Sequence, residues 1–169
     1  YEIASFMVLR ESVPWRWSHT RHHTDTIIVG RDPEIPSPRP PDLLGNGMAG
    51  FSLKSGPKEL SKVLLHCTGR LNAAEETYIP EEERYKVYWN ARIWVMSYAV
   101  VIAAVIISGS ILPLMYIGLP SFYGAWEMVL CGLTQHIGLA EDVLDHRLNC
   151  RTVYMNPISR FLYWEMNYH

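Results

Sequence analysis

Cysteine is scarce in this sequence, and the few cysteines present lie far apart. Cys67, Cys131 and Cys150 are the only three, and no two of them form a C-x-x-C pair. An odd number of widely spaced thiols supports neither a disulfide framework nor a thiolate-ligated zinc site. Their distribution fits a reducing compartment or a membrane interior better.

A surplus of basic charge is also missing. The chain sets 15 Lys and Arg against 17 Asp and Glu, which gives a net charge of −2 at pH 7. Without bulk positive charge, no nucleic-acid partner is expected. The charged residues are unevenly distributed, because residues 11–92 hold most of them and residues 93–124 hold none.

Two long apolar stretches follow the charged half of the chain. Residues 94–112 contain no charge and are about as long as a helix must be to cross a hydrocarbon core of roughly 30 Å. A second stretch, residues 121–139, contains one acidic residue, Glu127, and is separated from the first by Pro113 and Pro120. The pattern predicts a mainly α, integral membrane protein with a two-span hairpin, at about 93–112 and 121–139. The alternative is one buried core helix followed by a loop.

The basic residues near the two stretches predict how the hairpin is oriented. The turn between the predicted spans has no Lys or Arg, whereas both outer flanks do: Arg84, Lys86, Arg92, Arg147, Arg151 and Arg160. By the positive-inside rule, residues 11–92 and 140–169 are then cytoplasmic. Histidines before the first span and after the second lie on the same side of the membrane and can meet.

His19, His22 and His23 form an H-x-x-H-H cluster. On a helix, at about 100° per residue, the three rings fall within a sector of about 100° and can point at one place. Neutral imidazole is the commonest nitrogen ligand of iron, zinc or copper, so the cluster predicts a metal site. The alternative is a polar helix face that is rich in histidine.

A second group of histidines lies after the apolar stretches. His136 is predicted at the inner end of the second span, where it is either a metal ligand or a hydrogen-bonded residue at a helix end. His146 lies between Asp145 and Arg147 and is interpreted as part of a charge network that could orient ligands.

The remaining polar segments have ordinary interpretations. Residues 57–70 have the apolar period of one amphipathic helix, and His66 is interpreted as a plain polar position on it. The acidic run 72–85 is interpreted as a solvated face. Residues 32–42 contain five prolines and are predicted to form a surface loop.

The two ends of this pattern resemble a known family. The segment 19–23 is similar to the middle histidine box of membrane fatty acid desaturases, and Asn167-Tyr168-His169 looks like the opening of their last box. The pair of apolar stretches between the boxes also matches that layout. The resemblance covers nearly the whole chain and implies that residues 1–169 are part of a single desaturase-like domain. The first box and the end of the last are absent from the sequence, which is interpreted as an internal fragment that is inactive alone.

The resemblance also implies a metal site and a reaction. The site is a di-iron centre, and the candidate iron ligands in this sequence are His19, His22, His23, His136 and His169. The candidates to orient those ligands are Asp145, His146 and Asn167. The implied reaction is O₂-dependent desaturation of a fatty acyl or related lipid chain. Two alternatives stay open: a lipid or alkane hydroxylase on the same scaffold, and a non-catalytic metal-binding membrane protein.

An electron source within the sequence is missing, because no haem, flavin or iron–sulfur motif is present. The resemblance therefore implies an external donor that is ferredoxin-, rubredoxin- or cytochrome b5-like. Arg16, Arg21 and Arg31 are candidates for docking such a donor, and a solvated basic face explains them equally well.

Overall fold

A computed structural model describes residues 1–35, 53 and 55–168 of the chain, and these form helices with no β-strand among them. The mainly α prediction is confirmed for these residues. A short 3-10 helix, Glu75–Thr77, precedes the longest helix. The α-helices are α1 (Glu2–Met7), α2 (Ser12–Thr24), α3 (Ser55–Cys67), α4 (Glu81–Ser108), α5 (Leu112–Tyr116), α6 (Pro120–Gly124), α7 (Trp126–His136), α8 (His146–Asn149) and α9 (Pro157–Leu162).

The longest helix, α4, has sequence signals at both ends. Pro80 occupies its N-cap, and three glutamates in the first turn complement the positive end of the helix dipole. Gly109 follows with φ 62°, a left-handed conformation that glycine adopts without a steric penalty and that ends the helix. The helix therefore stops at Ser108, four residues before the predicted end of the first span.

The C-terminal half of α4 is apolar and largely exposed. Its most apolar 18-residue window has a mean hydropathy of 2.0, and only 17% of that window is buried inside the structure. Met96, Val100 and Ile107 are each more than two-thirds exposed. By length and composition α4 could cross a membrane, and no other helix among the described residues could.

The stretch predicted as the second span, residues 121–139, is divided between α6 and α7. Gly118 has φ 95°, and Pro120 starts α6, so no continuous helix connects α5 to α7. Helix α7 ends at His136, because the next residue, Ile137, has a non-helical ψ of 130°. No single helix long enough to cross a membrane forms in this part, and the two-span hairpin stays a prediction.

Helices α1, α2 and α3 cover the N-terminal half of α4. Val63 of α3 packs against Ala91 and Trp94 of α4, and Phe6 of α1 meets Trp94 edge-on with ring centroids 5.6 Å apart. A second cluster around Val87 includes Trp17 of α2. This packing fixes α2 against the charged end of the long helix, while the apolar end extends beyond it.

Two interpretations of polar residues are wrong. His66, interpreted as a plain polar position on α3, has no exposed surface, and Glu75, within the acidic run interpreted as solvated, is 1% exposed. The acidic run is therefore only partly a solvent-facing surface. The cause lies in long-range partners, because His66 and Glu75 bond to each other across the turn that follows α3.

Candidate metal centre

Helix α2 places three imidazole rings side by side, as their spacing predicts. The ring centroids of His19 and His23 are 4.5 Å apart, and those of His19 and His22 are 5.8 Å apart. The Nε2 atoms of His19 and His23 approach to 3.1 Å. That separation is short enough for both nitrogens to bind one ion at about 2.1 Å.

A fourth imidazole ring, from helix α7, lies beside this cluster. His136 is the last residue of α7, and its ring centroid lies 5.1 Å from that of His22, with the two ring planes nearly perpendicular. His22 is 3% exposed and His136 is 4% exposed. The structure therefore brings together His19, His22, His23 and His136, half of them buried from water.

Two loops hold these distant segments against each other. Asn149 is fully buried and donates its side-chain amide to the carbonyls of Thr26 and Val143, both at 2.9 Å. The backbone N–H of Val29 donates to Asp142 Oδ1 at 2.8 Å. The loop after α2 is thus bonded to the segment after α7, which positions His136 beside His22.

Three of the four rings have an oxygen acceptor at Nδ1. His19 Nδ1 lies 3.1 Å from Glu34 Oε2, and His22 Nδ1 lies 2.9 Å from Asp32 Oδ2. His136 Nδ1 lies 3.0 Å from the carbonyl of Asn149. An acceptor at Nδ1 selects the tautomer whose Nε2 binds a metal, and it fixes the orientation of the ring.

The sequence interpretation missed these acceptors. Asp32 and Glu34 lie at the start of the proline-rich segment interpreted as a surface loop, and Asn149 carried no signal at all. The sequence did contain one signal, because two carboxylates, Asp32 and Glu34, follow shortly after the histidine helix. A turn between them and the helix brings them back against it. Asp32 stabilises that turn by accepting the N–H groups of Ile27 and Glu34.

The electrostatics favour a neutral His23 and an ionised Asp32. Burial lowers the pKa of His23, and the neighbouring His19 and His22 lower it further. Burial alone would raise the pKa of Asp32, but the bond to His22 and the backbone donors outweigh burial and lower it. A neutral imidazole is the form that binds metal, so the lowered pKa favours the ligating form of His23.

The donor set fits a nitrogen-binding metal, although the described residues do not complete a closed site. Within residues 1–35, 53 and 55–168, no three His, Cys, Asp or Glu side chains converge on one metal position. The fit instead rests on the 3.1 Å Nε2 pair and on the Nδ1 acceptors. A set of imidazoles suits iron, copper or zinc.

The other predicted site residues have partners of their own or lie outside the described residues. Asp145 caps α8 and pairs with Arg147 at 2.7 Å. His146 is the exposed first residue of α8 and is near enough to His23 to lower its pKa. Asn167 is buried and exchanges 2.9 Å hydrogen bonds with Val153. His169 lies outside the described residues. The roles given to these four residues stay predictions.

Comparison with known proteins identifies the family. No curated protein matches the chain, and no solved structure matches it. The model of the family described as "Fatty acid desaturase" matches residues 3–169. The family predicted from the histidine boxes is confirmed, and since the match covers nearly every residue, the chain belongs to the fatty acid desaturase family.

Proposed function

We propose that this chain contributes to a di-iron oxidoreductase that desaturates a fatty acyl or related lipid chain with O₂. Family membership supports an oxidoreductase of fatty acid or lipid metabolism. The observation that carries the finer proposal is the four-imidazole cluster, in which three Nδ1 atoms face oxygen acceptors. Rings oriented in this way are typical of metal ligands.

Each residue of the cluster has a distinct task in the proposal. His19, His22, His23 and His136 would hold iron, together with His169, which the family resemblance adds. Bound iron would supply the O₂ activation needed to remove hydrogen from an unactivated C–H bond. Glu34, Asp32 and the carbonyl of Asn149 orient the rings, and the burial of His22 and His136 excludes bulk water.

The exposed apolar half of α4 supports a lipid substrate. Helix α2 packs against the N-terminal half of α4, which contains Arg84, Lys86 and Arg92, while the apolar half of α4 is exposed. We propose that this apolar half lies in the bilayer and that the basic end and the histidines are cytoplasmic. Helices α6 and α7 would form the returning span, although end to end they reach only about 26 Å at about 1.5 Å per residue.

Electrons would come from an external donor that is ferredoxin-, rubredoxin- or cytochrome b5-like. Two of the three arginines proposed for its docking also have internal roles. Arg21 and Arg31 both pair with the buried carboxylate of Asp25, at 2.7 and 2.8 Å. The guanidinium of Arg16 lies over the ring of Trp17 instead. We therefore propose Arg16 as the docking residue of the three.

The experiment is iron analysis and product analysis of the full-length protein in membranes, with His22→Ala as the variant. The protein should contain about two irons and produce a lipid that has lost two hydrogens. His22→Ala should lower the iron content and abolish product. The matched control is Thr20→Ala on the same helix, because the exposed Thr20 hydroxyl donates within α2, to the carbonyl of Arg16.

The products also decide between the alternatives. A lipid that gains one oxygen would identify a hydroxylase on the same scaffold. Zinc in place of iron, or full activity of His22→Ala, would contradict the proposal.

A further inference from the structure

A buried imidazole lies between two carboxylates away from the metal centre. His66 Nδ1 lies 2.6 Å from Glu11 Oε2, and His66 Nε2 lies 2.8 Å from Glu75 Oε2. His66 has no exposed surface, and the carboxylates are 4% and 1% exposed. We call these three residues the Glu–His–Glu bridge.

The bridge joins three segments that are separate in the chain. Glu11 directly precedes the histidine helix α2, His66 lies in the last turn of α3, and Glu75 starts the 3-10 helix. Glu75 is itself held by Asn72, whose backbone N–H donates to Glu75 Oε2 and whose side chain accepts the backbone N–H of Glu75. Since α3 packs along α4, the bridge connects the start of α2 to the long helix.

The hydrogen bonds assign a positive charge to His66. A neutral imidazole has one N–H, and only the protonated ring can donate from both nitrogens to two carboxylate oxygens. The pKa of His66 agrees with a protonated ring, whereas burial raises the pKa of Glu11 in spite of its bond to His66. Burial lowers the pKa of His66, but the bonds to Glu11 and Glu75 outweigh burial and raise it to about 9.

Burying the charged groups of this bridge costs desolvation free energy, which favours a role beyond stabilising the fold. Glu11 and Glu75 each leave Oε1 buried without a hydrogen-bond partner among the described residues. A buried charged group of this kind is often no more stabilising than apolar residues of the same volume, whereas its directional bonds fix one geometry. Glu11 also occupies the N-cap position of α2, yet its side chain makes no cap bond to the helix.

We propose that the Glu–His–Glu bridge positions helix α2 so that its histidine face, formed by His19, His22 and His23, is held against His136 at the proposed metal centre. The proposal rests on the metal-binding role proposed above. Glu11 fixes the first turn of α2, and the rest of the helix is rigid, so the direction of the three rings follows from the direction of that turn. His66 is therefore a positioning residue that acts through Glu11, since its two ring nitrogens bond to Glu11 and Glu75.

The test uses Co²⁺ binding to the full-length protein in detergent, with the visible absorption of Co²⁺ as the readout of ligand geometry. His66→Gln should remain folded by circular dichroism and gel filtration, but bind Co²⁺ about tenfold more weakly and with a shifted spectrum. The matched control is Lys58→Gln, which removes a positive charge from an exposed position on the same helix, α3. The control should bind Co²⁺ like the wild type.

The result that would overturn the positioning role is wild-type Co²⁺ affinity and spectrum in folded His66→Gln. If that variant does not fold, Glu11→Gln decides, because it weakens the bond by which His66 acts on the first turn of α2: altered Co²⁺ binding supports the role and unchanged binding refutes it. Absence of lipid product in the wild type would count against the proposed reaction alone. A wild-type protein that binds no Co²⁺ would overturn both proposals.

Discussion

At the residue scale, an acceptor at Nδ1 fixes the tautomer and the orientation of an imidazole ring. His22 is the most constrained ring, since Asp32 Oδ2 lies 2.9 Å away and both side chains are almost fully buried. The same carboxylate accepts backbone N–H groups that close the turn after α2. One side chain therefore orients a predicted ligand and stabilises the loop beside it.

Replacing Asp32 with Asn should weaken metal binding while the predicted ligands stay in place. The amide is a weaker acceptor for His22, and loss of such a partner typically lowers metal affinity about 10- to 100-fold. Titration of the protein with Co²⁺ measures the change. Glu82→Gln is the control, because Glu82 is an exposed carboxylate in the first turn of α4, outside the histidine helix and the turn that follows it. Equal affinities in the two variants would refute an orienting role for Asp32.

The charge on His66 predicts how stability depends on pH. Its pKa in the folded protein, about 9, is above its ordinary value of 6.5, so its contribution is complete below pH 6.5 and is lost as pH rises through about 9. The charged groups that act on the bridge are the carboxylates of Glu11 and Glu75, with Glu59 and Lys62 of α3 beyond them. Between pH 6.5 and 9 the wild-type unfolding midpoint should fall more steeply than that of His66→Gln. Parallel curves over this range would contradict a protonated His66.

At the element scale, helices with a strong local pattern were predictable. The H-x-x-H-H spacing predicts one face of α2, and the run without charges predicts the apolar half of α4. The second apolar stretch was less predictable, because its break depends on the left-handed backbone at Gly118, whose N–H donates to the carbonyl of Met7 in α1. Hydropathy alone does not detect a contact of that kind.

The same distinction between local and long-range partners applies to the candidate site. Sequence spacing indicated that the histidines of α2 share a face, since that depends only on helix geometry. It could not indicate that Asn149 bonds to Thr26, or that His66 is buried between two carboxylates, since these partners lie on other elements. Such residues look like ordinary polar positions until the packing of the elements is known.

At the scale of the whole molecule, the two halves of α4 have opposite surroundings. Helices α1, α2 and α3 bury Val87, Ala91 and Trp94 in the N-terminal half, whereas Val100 and Ile107 beyond them are exposed. In water, this much exposed apolar surface favours association. In a bilayer, as proposed above, the same surface would contact lipid.

An arginine at Val100 should distinguish these two environments. Val100 is 69% exposed and lies within the apolar half of α4, so in a bilayer Val100→Arg should cost about 2.5–3.5 kcal/mol of insertion free energy. Alkaline extraction of membranes should then release more of this variant than of the wild type. Tyr85→Arg is the control, because Tyr85 is 57% exposed on the charged half, where an added arginine should change membrane retention little. In water both substitutions would lie on an exposed surface and be tolerated equally, so equal release of the two variants would refute the membrane placement of α4.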